Sequence, residues 1–318
     1  MGSADRLKRW ERVLGTIRGE GVDRVPLGEL VMGADFCLQA LGKKTFSFQA
    51  ARDCWERFAL DLVVLPPREE GKSPAGAAGC PGPSDPSDPW SPARWREETD
   101  CFVFALVNGG FSRALQALGF QGFMEGTWRE PQRIKEALGG FFREAAAAAR
   151  AAAARGAHGI MVGDDIAYQK GPFLSPTALR ELYFPFLAEL VEQLQGRGVA
   201  VFFHSDGNLN TVLADLVQAG IDGLQGLEPA AGMDLAAVKE KYGDKLCLMG
   251  NLDLSLLQPR VPDRDLRDAV RRTMWAGKPG GRFIFGTSGG LHGGLSAEKV
   301  EVMVQEAQRQ GRYESDRL

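Results

Sequence analysis

Short apolar, β-branched-rich runs alternate along the chain with longer stretches whose apolar residues recur at helical spacing, the rhythm of repeated parallel βα units. Eight such runs are legible, at 25–32, 61–66, 102–109, 159–166, 199–206, 221–228, 246–253 and 282–288. The intervals predict helices that include 133–155, 175–196, 210–219, 234–241, 263–275 and 297–311. Ser175 before Pro176 is the N-cap and N1 pair of a helix start, and Gly198 and Gly220 each lie between a helix and the next run. An open doubly wound sheet shares this rhythm, but eight repeats favour closure. The expected fold is therefore α/β, a (β/α)₈ TIM barrel forming a single domain over residues 1–318, with a short helix before the first strand.

One segment breaks the pattern. Residues 68–99 are rich in Gly, Pro, Ser and Asp and carry Trp90 and Trp95, which reads as a long βα loop after the second strand. Two readings stay open: a surface excursion, or a lid whose tryptophans close over substrate at the pocket rim.

Composition narrows the class. A chain of 318 residues with 44% hydrophobic and 25% charged residues can bury a full core, and a net charge of −3 offers no basic field to a nucleic acid. No apolar run is long enough to span a bilayer, and the charged N-terminal stretch lacks the apolar core of a signal peptide. The five cysteines are odd in number and include no CxxC pair, so the expected compartment is the reducing cytoplasm.

Polar residues recur at the C-terminal ends of the predicted strands, where barrel enzymes keep their chemistry. They are Glu29, Asn108, Asp164 with Asp165, His204 with Asp206, Glu228, Asn251 with Asp253, and Ser288 with nearby His292. His204 and Asp206 stand at i and i+2, so on an extended strand they share one face and can converge on one ion or substrate. Of Asp164 and Asp165, only one can easily face the axis, leaving the other to cap a loop or pair with an arginine. Glu228 precedes Pro229, and the pair either joins the site or shapes a turn. The glycine-rich 287–294 segment lets backbone amides approach an anion but has no Walker lysine, and His158, ahead of its strand, reads as structural.

Asp23-Arg24-Val25-Pro26, Gly163-Asp164-Asp165, Phe203-His204-Ser205-Asp206-Gly207-Asn208, Gly250-Asn251-Leu252-Asp253 and the glycine-rich end together resemble the uroporphyrinogen decarboxylase superfamily over nearly the whole chain. The resemblance implies a (β/α)₈ fold and either of two chemistries, tetrapyrrole decarboxylation or corrinoid-linked methyl transfer. Decarboxylases of the superfamily carry an arginine-rich segment after the first strand, whereas residues 27–33 here hold no arginine and contribute Glu29. Methyl transfer is therefore favoured. Coenzyme M methyltransferases of the superfamily bind zinc through a His-x-Cys pair and a later cysteine. His204 matches the histidine, but Asp206 stands at the first cysteine position and 287–292 has no cysteine.

A zinc held by His204, Asp206 and Glu228 would be oxygen-rich and strongly electrophilic, suited to polarising a methyl ether oxygen. The resemblance thus implies an O-demethylase type of methyltransferase passing methyl between a small donor or acceptor and a corrinoid carried by a partner protein. Asp165, His204 and Asp206 would be catalytic, and Glu29, Asn108, Asp164, Asn251, Ser288 and His292 would line the substrate pocket. A homodimer is compatible with this reading. The alternatives are a decarboxylase-like lyase acting on a small or tetrapyrrole acid, and a non-catalytic barrel that binds a corrinoid or tetrapyrrole.

Overall fold

Seven of the eight apolar runs become strands of one parallel sheet in the computed structural model, which describes residues 7–67 and 88–313. In chain order the strands are β1 (Leu62–Leu65), β2 (Phe102–Asn108), β3 (Gly159–Gly163), β4 (Ala167–Tyr168), β5 (Gly171–Pro172), β6 (Ala200–Ser205), β7 (Gly223–Gly226), β8 (Cys247–Leu252) and β9 (Phe283–Thr287). The sheet runs β1-β2-β3-β6-β7-β8-β9, every pair parallel, while β4 and β5 form a small antiparallel hairpin beyond the end of β3. Parallel neighbours joined by helical crossovers bring all seven C-terminal ends to one side of the sheet.

Side-chain alternation divides the core in two. Leu62, Val64, Phe102, Phe104, Met161, Phe202, Met249 and Ile284 pack together with Val13 and Ile17 of the helix Arg9–Arg18. The opposite parity, including Val63, Val103, Val107, Ile160, Val162, Val201, Phe203, Leu248 and Phe285, belongs to the larger core shared with the surrounding helices. The curled sheet therefore has an inner face, filled by the first set, and an outer face covered by helices.

The first predicted run is a correction. Residues 25–32 do not form a regular strand; they touch the sheet through single parallel bridges, Leu27 with Phe285 and Met32 with Leu291. Pro26 has no amide to give, although its carbonyl accepts from Phe285 N at 2.9 Å, and Leu27 N donates to the Asp61 carboxylate at 2.8 Å rather than to a strand carbonyl. On that side the chain is held by Asp61 N, which donates to Leu27 O at 2.7 Å. The segment is thus tied to both edges of the sheet, to β9 and to the start of β1, without adding a full ladder to either.

The tryptophans of the long loop are also a correction. Residues 68–87 lie outside the described residues, but Pro92–Glu98 is a helix with Ser91 as its N-cap. Trp95 is fully buried edge-on against Phe48 and Trp55, donating its indole N–H to Pro89 O, and Trp90 packs on Phe46. Both rings are spent on the core, so neither can close over a substrate. The single helix expected over 175–196 is two, Pro176–Leu182 and Phe184–Gln195, broken at Tyr183 ahead of Pro185. No helix among the described residues is long and apolar enough to cross a membrane.

Candidate active site

Strand parity carries a polar cluster to the inner side of the C-terminal ends. His204 continues the inward row of Phe202 on β6 and is buried, while Asp165 and Asp206, just past β3 and β6, are exposed. His204 Nε2 lies 3.8 Å from Asp165 Oδ1 and 3.9 Å from Asp206 Oδ1, and one donor atom from each of the three residues falls within 4.8 Å of the others. The two chain segments are laced together: Asp164 N donates to His204 O at 2.9 Å, Asp206 N to Asp165 Oδ1 at 2.9 Å, and Ile166 N to Ser205 Oγ at 3.2 Å. Gly207, at φ 87°, lets the β4–β5 hairpin dock on the turn, because a Cβ there would stand 2.7 Å from the backbone of Ala167 and Tyr168.

Glu228 stands outside this cluster. Its Oε2 accepts from Gly207 N at 3.0 Å, which braces the turn after His204-Ser205-Asp206. Although its side chain reaches solvent, partial desolvation by the surrounding protein pushes the Asp206 carboxyl above its ordinary range, His204 opposes this, and the charges of Asp165 and Glu228 add to it. Among the described residues, His204 is the one basic group paired with either aspartate.

Asp164 faces the other way. It is buried, and its carboxylate accepts from Phe111 N at 2.9 Å, Ser112 N at 2.6 Å and Tyr183 Oη at 2.8 Å. These bonds cap the helix Gly110–Leu118, so the expected substrate contact is replaced by a structural role. Burial lifts its carboxyl to about 6, with the hydrogen bonds from Ser112, Phe111 and Tyr183 pulling back.

The remaining expected pocket residues divide similarly. Asn108 ends β2 half-buried; Asn251 is buried on β8 and donates to Leu227 O at 3.1 Å; Ser288 is buried just after β9; His292 is exposed, with Nδ1 2.8 Å from Gly293 O. Asp253 caps the short helix Leu254–Leu257 through Ser255 N. Glu29 is buried against Thr287, whose hydroxyl and amide both meet Glu29 Oε2. Burial pushes its carboxyl up to about 8, so it is neutral at pH 7. The Thr287 hydroxyl also lies 2.8 Å from Gly289 O.

Two buried polar residues behind the site were not legible in the sequence. Tyr183 holds Asp164, and Gln225, fully buried on β7, donates to Thr287 O at 3.2 Å. The available signal for Gln225 was a polar residue inside an apolar run one strand over from His204. His158 is structural, as its place before the strand suggests: its Nδ1 accepts from Val103 N at 3.0 Å, and burial lowers it to about 4.

The model for the family uroporphyrinogen decarboxylase (URO-D) matches residues 94–310. The chain belongs to the uroporphyrinogen decarboxylase family. It is 27% identical over 210 residues to a uroporphyrinogen decarboxylase of Thioalkalivibrio sulfidiphilus, covering 65% of this chain and 56% of that one. A uroporphyrinogen decarboxylase of Aeromonas salmonicida is 28% identical over 203 residues, 63% of this chain and 53% of its own. The chain thus spans about half the length of the curated relatives it matches. In fold it is similar to a methyltransferase from Methanosarcina mazei, with a TM-score of 0.77, 20% identity, and coverage of 95% of this chain and 99% of the other. The fold of this family member is therefore also that of a solved methyltransferase.

Proposed function

We propose that this member of the uroporphyrinogen decarboxylase family is a methyltransferase of O-demethylase type, moving a methyl group from a small methyl ether to a corrinoid carried by a partner protein. The observation that carries the reading is the imidazole between two exposed carboxylates at the strand ends. The donor set suits a zinc ion. Its separations of 3.8 and 3.9 Å from the imidazole are too long for hydrogen bonds, and all three donor atoms lie within 4.8 Å of one another, near enough to close on one ion with bonds of about 2.0–2.2 Å. Asp165 and Asp206 also bring together two negative charges that one divalent cation would balance.

His204 Nε2, Asp165 and Asp206 would hold the metal, with Glu228 keeping the turn in place through Gly207 N. Zinc bound there supplies Lewis-acid polarisation of the donor oxygen. The buried His204 ring fixes the position of Nε2, and Asp165 is oriented by its bond from Asp206 N. Asp165 and Asp206 would hold the metal as carboxylates, the form that a nearby cation favours. Asn108 stands at the end of β2, next to β3, and Ser288 follows β9 at the same end of the sheet.

A second reading, decarboxylation of an acid with Asp165 or His204 moving the proton, is favoured by the names of the sequence relatives. Zinc per chain, circular dichroism and methyl transfer from aryl methyl ethers to a reduced corrinoid protein, measured for wild type, His204→Ala and Asp165→Asn, separate the two. The expected result is loss of metal and methyl transfer together, with the fold retained. Normal methyl transfer by a zinc-free wild type would remove the metal from the proposal, and release of carbon dioxide without methyl transfer would establish the second reading.

A further inference from the structure

His204 and Gln225 are register partners on the adjacent parallel strands β6 and β7. Register partners on neighbouring strands project from the same face, about 4.8 Å apart at the backbone. Each carries a buried polar atom with no hydrogen-bond partner among the described residues, His204 Nδ1 and Gln225 Oε1. The two orphans are complementary, because an imidazole Nδ1–H can donate and an amide oxygen can only accept. Burying a polar atom without a partner forfeits its hydrogen bonds to water, so a pairing that satisfies both is strongly favoured.

The orientations agree with such a pairing. A Cβ placed on Gly226 of β7 would lie 3.6 Å from His204 Nδ1, so this edge of the ring is turned toward β7, while Nε2 is turned toward Asp165 and Asp206. The Gln225 amide is fixed from its other end, since Nε2 donates to Thr287 O at 3.2 Å, with Ser288 O at 3.5 Å. That bond assigns the amide nitrogen and leaves Oε1 as the free acceptor. Thr287 is in turn held by Glu29. A chain of polar contacts thus crosses the inner face from Glu29 through Thr287 to Gln225 and ends one residue pair short of the candidate site.

We infer that Gln225 is a positioning residue that accepts the Nδ1 proton of His204, directly or through one water, and so fixes the tautomer in which Nε2 presents its lone pair to Asp165 and Asp206. The inference rests on the proposed cation site for its purpose, but the tautomer is a property of the metal-free chain. A ligating histidine needs its outer nitrogen held in this way, and losing the outer contact costs about 10–100-fold in metal affinity.

The test is long-range ¹H–¹⁵N correlation of the imidazoles in metal-free, ¹⁵N-histidine-labelled protein at alkaline pH, where imidazoles are neutral. The chain has three histidines, so His204 is assigned by difference from His158 and His292 variants. Wild type should carry the proton on Nδ1. Gln225→Met, unbranched and similar in length but without an acceptor, should shift the population toward Nε2–H and weaken zinc about 10–100-fold in chelator competition. Gln225→Glu, which still accepts from Nδ1, should restore both. A wild-type His204 protonated on Nε2 overturns the inference without needing any variant. So does an unchanged tautomer in Gln225→Met, which would place the proton on a backbone carbonyl instead. If wild type binds no zinc, the metal in the proposed function falls while the tautomer still decides the role of Gln225.

Discussion

Glu29 shows how far a single buried carboxyl can depart from its appearance in sequence. At a strand end it reads as an acidic pocket residue, yet the structure buries it against Thr287 and burial pushes it up to about 8, with the Thr287 hydrogen bonds only partly opposing. The folded chain therefore keeps a proton that the unfolded chain releases near pH 4.5, and stability contributed by the neutral form is lost as pH rises toward about 8. Asp164 adds in the same direction only up to about 6, so Glu29 dominates the upper part of the window. Urea unfolding at a series of pH values should show wild type losing up to a few kcal/mol between about pH 6 and about pH 8, at roughly 1.4 kcal/mol for each step of one in pH. Glu29→Gln, permanently neutral, should flatten that slope; equal slopes for both proteins would show that Glu29 ionises normally. His204 is the contrary case. Its apolar run and its i+2 partner Asp206 were sufficient to place them together, whereas nothing in the local sequence marks Glu29 as neutral, because that depends on Thr287, remote in the chain.

At the scale of elements, alternation along a strand decides which of two adjacent acids meets the site. Asp164 continues the outward row of Ile160 and Val162 and reaches the start of the helix Gly110–Leu118; Asp165 falls on the inward side with His204. The sequence supports that choice of one inward acid but leaves open which, since a turn just past β3 can offset the register by one. The helix itself was not legible: Gly110–Leu118 and Phe120–Arg129 are short, and Gly119 at φ 71° interrupts their periodicity. Its start depends on Asp164, whose approach is so close that a Cβ on Gly109 would sit 2.2 Å from Asp164 Oδ2. Asp164→Ala strips the cap and leaves Phe111 N, Ser112 N and the buried Tyr183 hydroxyl without their acceptor. Denaturant unfolding should register a loss of about 3 kcal/mol. On the proposed function, zinc binding by the folded fraction should persist, since Asp164 lies outside the cluster of Asp165, His204 and Asp206; a variant that loses metal at full stability would return Asp164 to the site.

Across the whole molecule, the rhythm of apolar runs located the seven strands, and their common direction placed the candidate chemistry at one end. It misjudged residues 25–32, because backbone bonds join that segment to the sheet only at isolated points and the Asp61 side chain stands where a ladder partner would. Asp61 is fully buried; Oδ2 accepts from Leu27 N, and the two oxygens meet Arg12 at 2.7 Å and Arg24 at 2.7 and 2.8 Å. Arg12 is equally buried and is also paired with Asp23 at 2.6 Å, so the Asp23-Arg24-Val25-Pro26 motif works as a clamp at the N-terminal ends of the strands rather than as part of the catalytic face. Removing one partner of a buried ion pair costs about 3–5 kcal/mol, because the opposing charge stays buried without compensation. Asp61→Ala should therefore destabilise the chain by that amount and speed amide exchange at Leu27 and at Gly28, whose N–H donates to Phe285 O across the join with β9. Asp61→Asn separates charge from tether: its amide oxygen can still accept from Leu27 N, so exchange there should stay close to wild type while most of the stability loss remains. If instead both variants leave exchange at Leu27 and Gly28 unchanged, the segment is held by its backbone bonds to β9 and to Asp61 N, and the Asp61 side chain serves only to neutralise the two arginines.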